Sequence, residues 1–257
     1  MLDALIFDVD GTLAETEEVH RAAFNRTFAE FGLDWSWDRA LYGELLKVTG
    51  GKERMHHFVE TARPARRPER DLAAAVAAMH KRKTALYGEM IAAGEVALRP
   101  GIAPLIAAAR EAGVRLAIAT TTSRPNVEAL LDATLGAASR TTFEVIVAGD
   151  EVAQKKPAPD VFVEALRMLG LPAARCLALE DSWNGVRSAL GASLPVLVTR
   201  GMYTSGDRFD GALAVLDGLE ELSGGDGPET GRRLLAAVTD LHARHDAAAQ
   251  GARRAAS

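Results

Sequence analysis

The chain has 257 residues, 48% hydrophobic and 25% charged, with 30 basic against 35 acidic side chains and a formal net charge of −5. That balance supplies ample core, excludes disorder as a whole-chain class, and argues against a general nucleic-acid binder, whose basic footprint would show in the total. The single cysteine, Cys176, excludes an intrachain disulfide and fits a reducing cytoplasm, where the protein is expected to reside. No apolar run approaches the roughly 18 residues of a membrane span. Met1-Leu2-Asp3-Ala4 carries neither the basic nor the apolar region of a secretory signal.

In chain order, Ala4–Phe7 is the first short run that is apolar on both faces. About a hundred residues then pass without a convincing strand, and Thr16–Phe31, Ala40–Leu46, Arg54–Thr61 and Asp71–Ala92 read as helices. Arg63–Arg70, rich in Pro and Arg, reads as an exposed loop among them. A single crossover needs far less chain, so this interval predicts an inserted helical cap, with its exit near Ala14–Thr16 and its return at Gly94 and Pro100-Gly101.

Beyond the return, the runs Val114–Ala119, Val145–Ala148, Cys176–Leu179, Val196–Val198 and Ala212–Leu216 alternate with helical stretches such as Ile102–Ala112 and Val161–Leu169, closed by Gly113 and Gly170. Continuous apolar runs suit parallel strands buried on both faces, and alternation with helices implies right-handed crossovers. The expected fold is α/β: a Rossmann-like doubly wound parallel sheet core (1–15 and 96–225) with an inserted helical cap (16–95). Residues 226–257 form an extension after the linker Gly224-Gly225-Asp226-Gly227-Pro228. One amphipathic stretch carrying Leu234, Leu235, Val238 and Leu241 is expected there, with a frayed or disordered end past His245.

The chemistry gathers at strand ends. Asp8-Val9-Asp10-Gly11-Thr12 closes the first run; period-two alternation sends Asp8 and Asp10 to the same side, and Gly11 permits a sharp turn. The second run closes in Thr120-Thr121-Thr122, the third is followed by Lys155-Lys156-Pro157, and the fourth closes in Glu180-Asp181-Ser182. In an open parallel sheet these ends share one edge, where such folds bind ligands. Acids, hydroxyls and a lysine together suit phosphoryl transfer with Mg²⁺.

These four ordered motifs, Asp8-Val9-Asp10-Gly11-Thr12, Thr120, Lys156 and Glu180-Asp181, resemble those of the haloacid dehalogenase superfamily across residues 1 to about 200. The phrases Phe7–Glu17, Thr49–Arg54, Ala119–Ser123 and Leu179–Ser182 resemble its CbbY-type branch, which includes a xylulose-1,5-bisphosphate phosphatase and lies near β-phosphoglucomutase. The resemblance implies that Asp8 attacks phosphorus to form an aspartyl phosphate and that Asp10 acts as general acid, then base. It implies Mg²⁺ on the Asp8 and Asp181 carboxylates and the Asp10 backbone carbonyl, with Glu180 an additional contributor. Thr120 would donate to a phosphate oxygen, with Thr121 and Thr122 beside it, and Lys156 would offset charge.

On the first cap helix, His20, Phe24, Phe28 and Phe31 form an i, i+4 stripe that Glu17 extends towards the cleft. Glu17 and His20 are therefore substrate-contact candidates, a packing histidine being the other reading of His20. Gly50-Gly51-Lys52-Glu53-Arg54 lacks the spacing of a P-loop. Gly50, Gly51, Lys52 and Arg54, with Lys83 from the run Lys81-Arg82-Lys83, are expected to read a second phosphate. The expected protein is a Mg²⁺-dependent sugar-bisphosphate phosphatase, monomeric, whose partner is a small-molecule sugar phosphate, with no nucleic acid and no membrane. A sugar phosphomutase and a catalytically silent regulator on the same scaffold are the competing readings.

Overall fold

A computed structural model describes residues 1–68, 71–136, 139, 141–225 and 227–255. Six parallel strands, β1 (Ala4–Phe7), β2 (Arg115–Ala119), β3 (Val145–Val147), β4 (Cys176–Glu180), β5 (Val196–Thr199) and β6 (Ala214–Leu216), form one sheet in the order β3-β2-β1-β4-β5-β6. β1 lies between β2 and β4, with Phe7 level with Ile118 and Leu179. Alternate strand residues enter separate cores: Leu5, Phe7, Ile118, Leu179 and Leu197 pack on one face, and Ile6, Ala117, Ala178, Val196 and Val198 on the other. Both faces are covered by helices, so continuous apolar runs are what these strands require.

Helices α1 (Glu17–Glu30), α2 (Arg39–Leu45), α3 (Gly51–Ala62) and α4 (Leu72–Ala92) follow β1, and α5 (Ile102–Glu111) leads into β2. The two linkers of this insertion pair with each other: Ala14 and Leu98 form an antiparallel bridge, and the Arg99 amide donates to the Leu13 carbonyl at 2.9 Å. An aromatic cluster holds the inserted helices together, with Phe24 and Phe28 ring centroids 4.7 and 4.8 Å from Trp37. Val19, Ala23, Leu86, Tyr87 and Ile91 instead join the core on the sheet, which seats α1 and α4 on the sheet domain.

Several expected boundaries move. The α3 helix starts at Gly51 rather than Arg54, because Gly50 adopts φ +98° and turns the chain directly into it. Phe31 caps the end of α1 and is 43% exposed, so the apolar stripe stops at Phe28. Arg63, Arg66 and Arg67 in the expected loop are exposed, while its last two positions lie outside the described residues.

After β2 come α6 (Arg124–Leu135), α7 (Asp160–Leu169), α8 (Trp183–Gly191), the short α9 (Glu220–Ser223) and α10 (Thr230–Ala255). The expected frayed end past His245 is corrected: α10 runs to Ala255, as Ala and Arg, among the strongest helix formers, allow. Leu234 and Val238 from α10 are fully buried in the sheet core, and a Cβ at Gly231 would stand 2.4 Å from the Pro104 carbonyl oxygen. Among the described residues no helix is long and apolar enough to cross a membrane.

Because Leu234 is a core residue, Leu234→Ala should lower unfolding stability by about 2–5 kcal/mol. Urea denaturation checks this; a loss near zero would mean that α10 does not belong to the cooperative fold.

Candidate active site

The nucleophile candidate is set by backbone pairing. The Asp8 amide donates to the Leu179 carbonyl at 3.0 Å, continuing the β1–β4 ladder one residue past β1. Its carboxylate accepts from Lys156 Nζ at 2.6 Å. The same ammonium donates to Glu180 Oε1 at 2.6 Å and to the Ala119 carbonyl at 2.8 Å, and lies 4.9 Å from the Phe162 ring centroid. All three charged groups are buried. Burial drives the Asp8 carboxyl well above its ordinary value, against the pull of Lys156, and the Glu180 and Asp10 charges add to the rise. Burial disfavours the Lys156 ammonium too, but Asp8 and Glu180 outweigh it and raise that group above the usual lysine value. Glu180 is fully buried, accepts from the Asp181 amide at 3.2 Å and abuts the start of α8, where a Cβ at Gly185 would overlap its carboxylate. A carboxylate is favoured at that helix end.

Asp181 completes an acidic group. Ligand oxygens of Asp8, Glu180 and Asp181 lie within 4.8 Å of one another. The Asp181 carboxyl is pushed well above its ordinary value by burial, then by Glu180 and Asp8, while Thr204 donates to its Oδ2 at 3.0 Å. One ammonium bonds two of three buried carboxyl groups, so all three can be ionised together only with further positive charge among them. All-oxygen donors that call for positive charge fit a hard divalent cation such as Mg²⁺.

The second aspartate sits in different company. Thr16 Oγ1 donates to Asp10 Oδ1 at 2.5 Å, and His20 Nε2 lies 3.0 Å from the same oxygen. Burial works to raise this carboxyl, but His20, Thr16 and Lys83 hold it at about 2. Lys83 Nζ reaches His20 Nδ1 at 2.5 Å, and the His20 ring stacks on Tyr87 at 4.1 Å. Burial and Lys83 lower the His20 value, and a neutral ring accepting from Lys83 carries its proton on Nε2, facing Asp10. Lys83 is itself lowered to about 7, by burial against the pull of Asp10 and Glu17.

These groups line a cleft of about 830 Å³ between sheet edge and inserted helices. Asp8, Asp10, Glu17, His20, Gly50, Gly51, Arg54, Lys83, Thr121, Thr122, Lys156 and Asp181 all border it. Lys52 does not: it is exposed on α3, two positions before the inward-facing Arg54. Thr120 is buried beneath the wall, its Oγ1 accepting from the Thr122 amide at 3.2 Å. Tyr42 donates to Glu17 Oε2 at 2.7 Å, and Arg54 donates to the Tyr42 oxygen at 3.1 Å and to the Leu45 carbonyl at 3.1 Å.

Sequence reasoning passed over several wall residues. His80 packs over Gly51, where a Cβ would stand 2.8 Å from its ring, and burial followed by Lys83 and Lys52 lowers its value to about 4. Its signal was available, since it precedes Lys83 by three residues on one helix. Lys155 donates to Glu53 at 2.8 Å and Asn184, on α8, donates to Thr49 Oγ1 at 3.0 Å, both joining the inserted segment to the sheet domain. Ser123 Oγ and Asn126 Oδ1 are buried at the cleft without a hydrogen-bond partner among the described residues.

Comparison with known proteins agrees with this geometry. Residues 2–193 match the model of haloacid dehalogenase-like hydrolases. The chain is 54% identical over 226 residues to protein CbbY of Cereibacter sphaeroides, covering 87% of this chain and 95% of that protein. It superposes with a TM-score of 0.82, at 53% identity, on crystalline CbbY from Rhodobacter sphaeroides in complex with xylulose-(1,5)bisphosphate, covering 86% of this chain and 96% of the other. The β-phosphoglucomutase of Clostridium difficile, 19% identical with a TM-score of 0.73 over 95% of this chain and 99% of its own, shares the fold. With its motifs in order on one parallel sheet edge and its relatives matched over most of their length, this chain belongs to the haloacid dehalogenase-like hydrolases.

Proposed function

We propose that this chain is a Mg²⁺-dependent phosphatase acting on a sugar bisphosphate, with xylulose-1,5-bisphosphate as substrate, through an aspartyl phosphate on Asp8. The observation that carries the reading is the contrast between the two aspartates. Asp8 shares a buried lysine and an acidic cluster, whereas Asp10 is held apart by Thr16 and His20. Paired carboxylates in opposed environments divide nucleophile from acid–base work. Asp8, Asp181 and the Asp10 backbone carbonyl would hold the metal, with Glu180 alongside although its Oε1 is engaged by Lys156. When bound, the metal supplies positive charge that keeps Asp8 ionised and offsets charge on the phosphoryl oxygens.

Lys156 fixes the Asp8 carboxylate for in-line attack on phosphorus and neutralises part of the charge that accumulates there. The Thr121 and Thr122 region walls the phosphate side of the cleft, where Thr120 and the start of α6 offer donors. As the P–O bond breaks, the leaving sugar oxygen takes a proton. Asp10 must carry that proton, and turning away from Thr16 and His20 removes the contacts that hold its value at about 2. Once the sugar alkoxide is protonated, ionised Asp10 accepts a proton from the water that attacks the aspartyl phosphate. Transfer to water makes the outcome hydrolysis; appearance of an isomeric sugar phosphate in place of inorganic phosphate would make it a mutase.

The second phosphate of the substrate is read by the cap. Arg54 is buried and held by Tyr42 and Leu45 through Nη1 and Nε, leaving Nη2 without a protein acceptor among the described residues. Lys83 and the amides at Gly50 and Gly51 border the same cleft. Capture of a remote phosphate there couples binding to exclusion of water.

Asp8→Asn should abolish phosphate release from xylulose-1,5-bisphosphate, since a neutral amide cannot form the acyl phosphate. Phosphate release at the wild-type rate in that variant would rule out the covalent route. Wild type should prefer the bisphosphate over its monophosphate, and Arg54→Ala should erase most of that preference, a loss of about 1.5–3 kcal/mol in kcat/KM terms.

Lys83 also gives a stability signature. Its folded value of about 7 lies below the 10.5 of a free lysine, so the unfolded chain binds more protons between those limits. Stability contributed by this position therefore rises as pH climbs through that window. Lys83→Met should flatten the rise, measured as urea midpoints from pH 7 to 10; identical slopes would contradict the buried, depressed lysine.

A further inference from the structure

We propose that Arg99 is a positioning residue for Asp181, clamping together the two loops whose glycines enclose that carboxylate. The inference rests on the metal-dependent reading above and adds to it a residue that touches neither metal nor substrate. Arg99 lies on the return linker, one residue past the Ala14–Leu98 bridge. Its side chain is 12% exposed. The guanidinium is surrounded by backbone carbonyls: Nη1 donates to Gly11 and, at 3.2 Å, to Thr199, while Nη2 donates to Arg200 at 2.7 Å and Asp217 at 3.2 Å. Glu15 lies 3.7 Å from Nε. A planar fork of five donors can serve acceptors from several directions at once; a lysine ammonium cannot match that span.

The carbonyls it gathers follow three strands, β1, β5 and β6, and the first two of these loops bear on Asp181. Gly11 follows β1 beside Asp8 and Asp10, and Thr199–Arg200 runs directly into Gly201. Both glycines press on Asp181 from opposite loops. A Cβ at Gly11 would stand 2.2 Å from Asp181 Oδ2, and one at Gly201 would stand 2.6 Å from the same oxygen. Thr204 donates to that oxygen at 3.0 Å and accepts from the Gly201 amide at 3.0 Å. The slot that holds Asp181 is thus as wide as the separation of the Gly11 and Gly201 backbones, and Arg99 bonds across both loops, beside Glu15, which accepts from the Met202 amide at 3.2 Å. Loss of the clamp lets the slot widen and the carboxylate turn away from Asp8 and Glu180. Groups that orient metal ligands without touching the metal behave in this way.

The test measures Mg²⁺ binding by calorimetry on the full-length protein without substrate, beside thermal midpoints and phosphate release. Arg99→Gln and Arg99→Lys should bind Mg²⁺ about 10–100-fold more weakly, with phosphate release recovering in excess Mg²⁺ more fully for Arg99→Lys. Val238→Ala, a core truncation in α10, should lower the thermal midpoint while keeping wild-type Mg²⁺ affinity. A general loss of stability would move Val238→Ala and the Arg99 variants alike. If Arg99→Gln fails to fold, Arg99→Lys, which keeps the charge, carries the comparison. Arg99 variants that lose thermal stability yet bind Mg²⁺ as tightly as wild type would overturn the clamp. So would a mutant cycle in which Arg99→Lys and Asp181→Asn act independently on the urea midpoint. Failure of the wild type itself to bind Mg²⁺ or release phosphate would instead count against the proposed function, with the mutant cycle still deciding the clamp.

Discussion

The buried ammonium of Lys156 is the charge on which the candidate active-site edge depends. Asp8 and Glu180 both lie 2.6 Å from it, and neither carboxylate has comparable access to water. Removing one partner from a buried ionic group leaves the others uncompensated, at a cost of about 3–5 kcal/mol. Lys156 follows β3, whereas Asp8 and Glu180 close β1 and β4, so the contact ties loops from separated strands into one site. The chain reaches this arrangement because parallel pairing brings the C-terminal ends of those strands to one edge.

The same sheet explains why the site combines rigidity with an adjustable wall. Strand residues are packed on both faces, and the catalytic side chains begin one residue beyond the apolar runs. The cap adds groups whose partners are mostly polar: Glu17, Tyr42 and Arg54 form one relay, and Asp10, His20 and Lys83 another. Ion pairs such as Lys155–Glu53 cross from sheet loop to cap at partly exposed positions. Such pairs are screened by salt and contribute little each, so the contact between the inserted helices and the sheet loops is held there only weakly.

Much of this was legible in the sequence, for physical reasons that differ by element. Fully buried parallel strands leave continuous apolar runs, so Ala4–Phe7 and Cys176–Leu179 could be read within a residue. The strand-end acids and Lys156 could be placed because the sheet edge collects them. Lys52 could not be separated from Arg54 by composition; only the helical phase of α3, set by its start at Gly51, turns one outward and the other in. Arg99 was silent for another reason. Its partners are backbone carbonyls of Gly11, Thr199, Arg200 and Asp217, and carbonyls carry no signature in the residue types. The full extent of α10 is hidden in the sequence because a low-complexity Ala/Arg end suits a frayed terminus as well as a helix.

The paired linkers at Ala14 and Leu98 have a consequence for how such a chain can be assembled. The two ends of the inserted segment are neighbours in a ladder contact, so to the sheet the whole insertion occupies the place of a tight turn. Loop-closure entropy grows only logarithmically with length, and here the gap to be closed is already set by the bridge. The register of the sheet is therefore set by its own linkers, although α1 and α4 also lend Val19, Ala23, Leu86, Tyr87 and Ile91 to its core. On the proposed reading, in which the excursion reads the second phosphate, substrate preference would change with its length and sequence while the strand-end edge keeps its register.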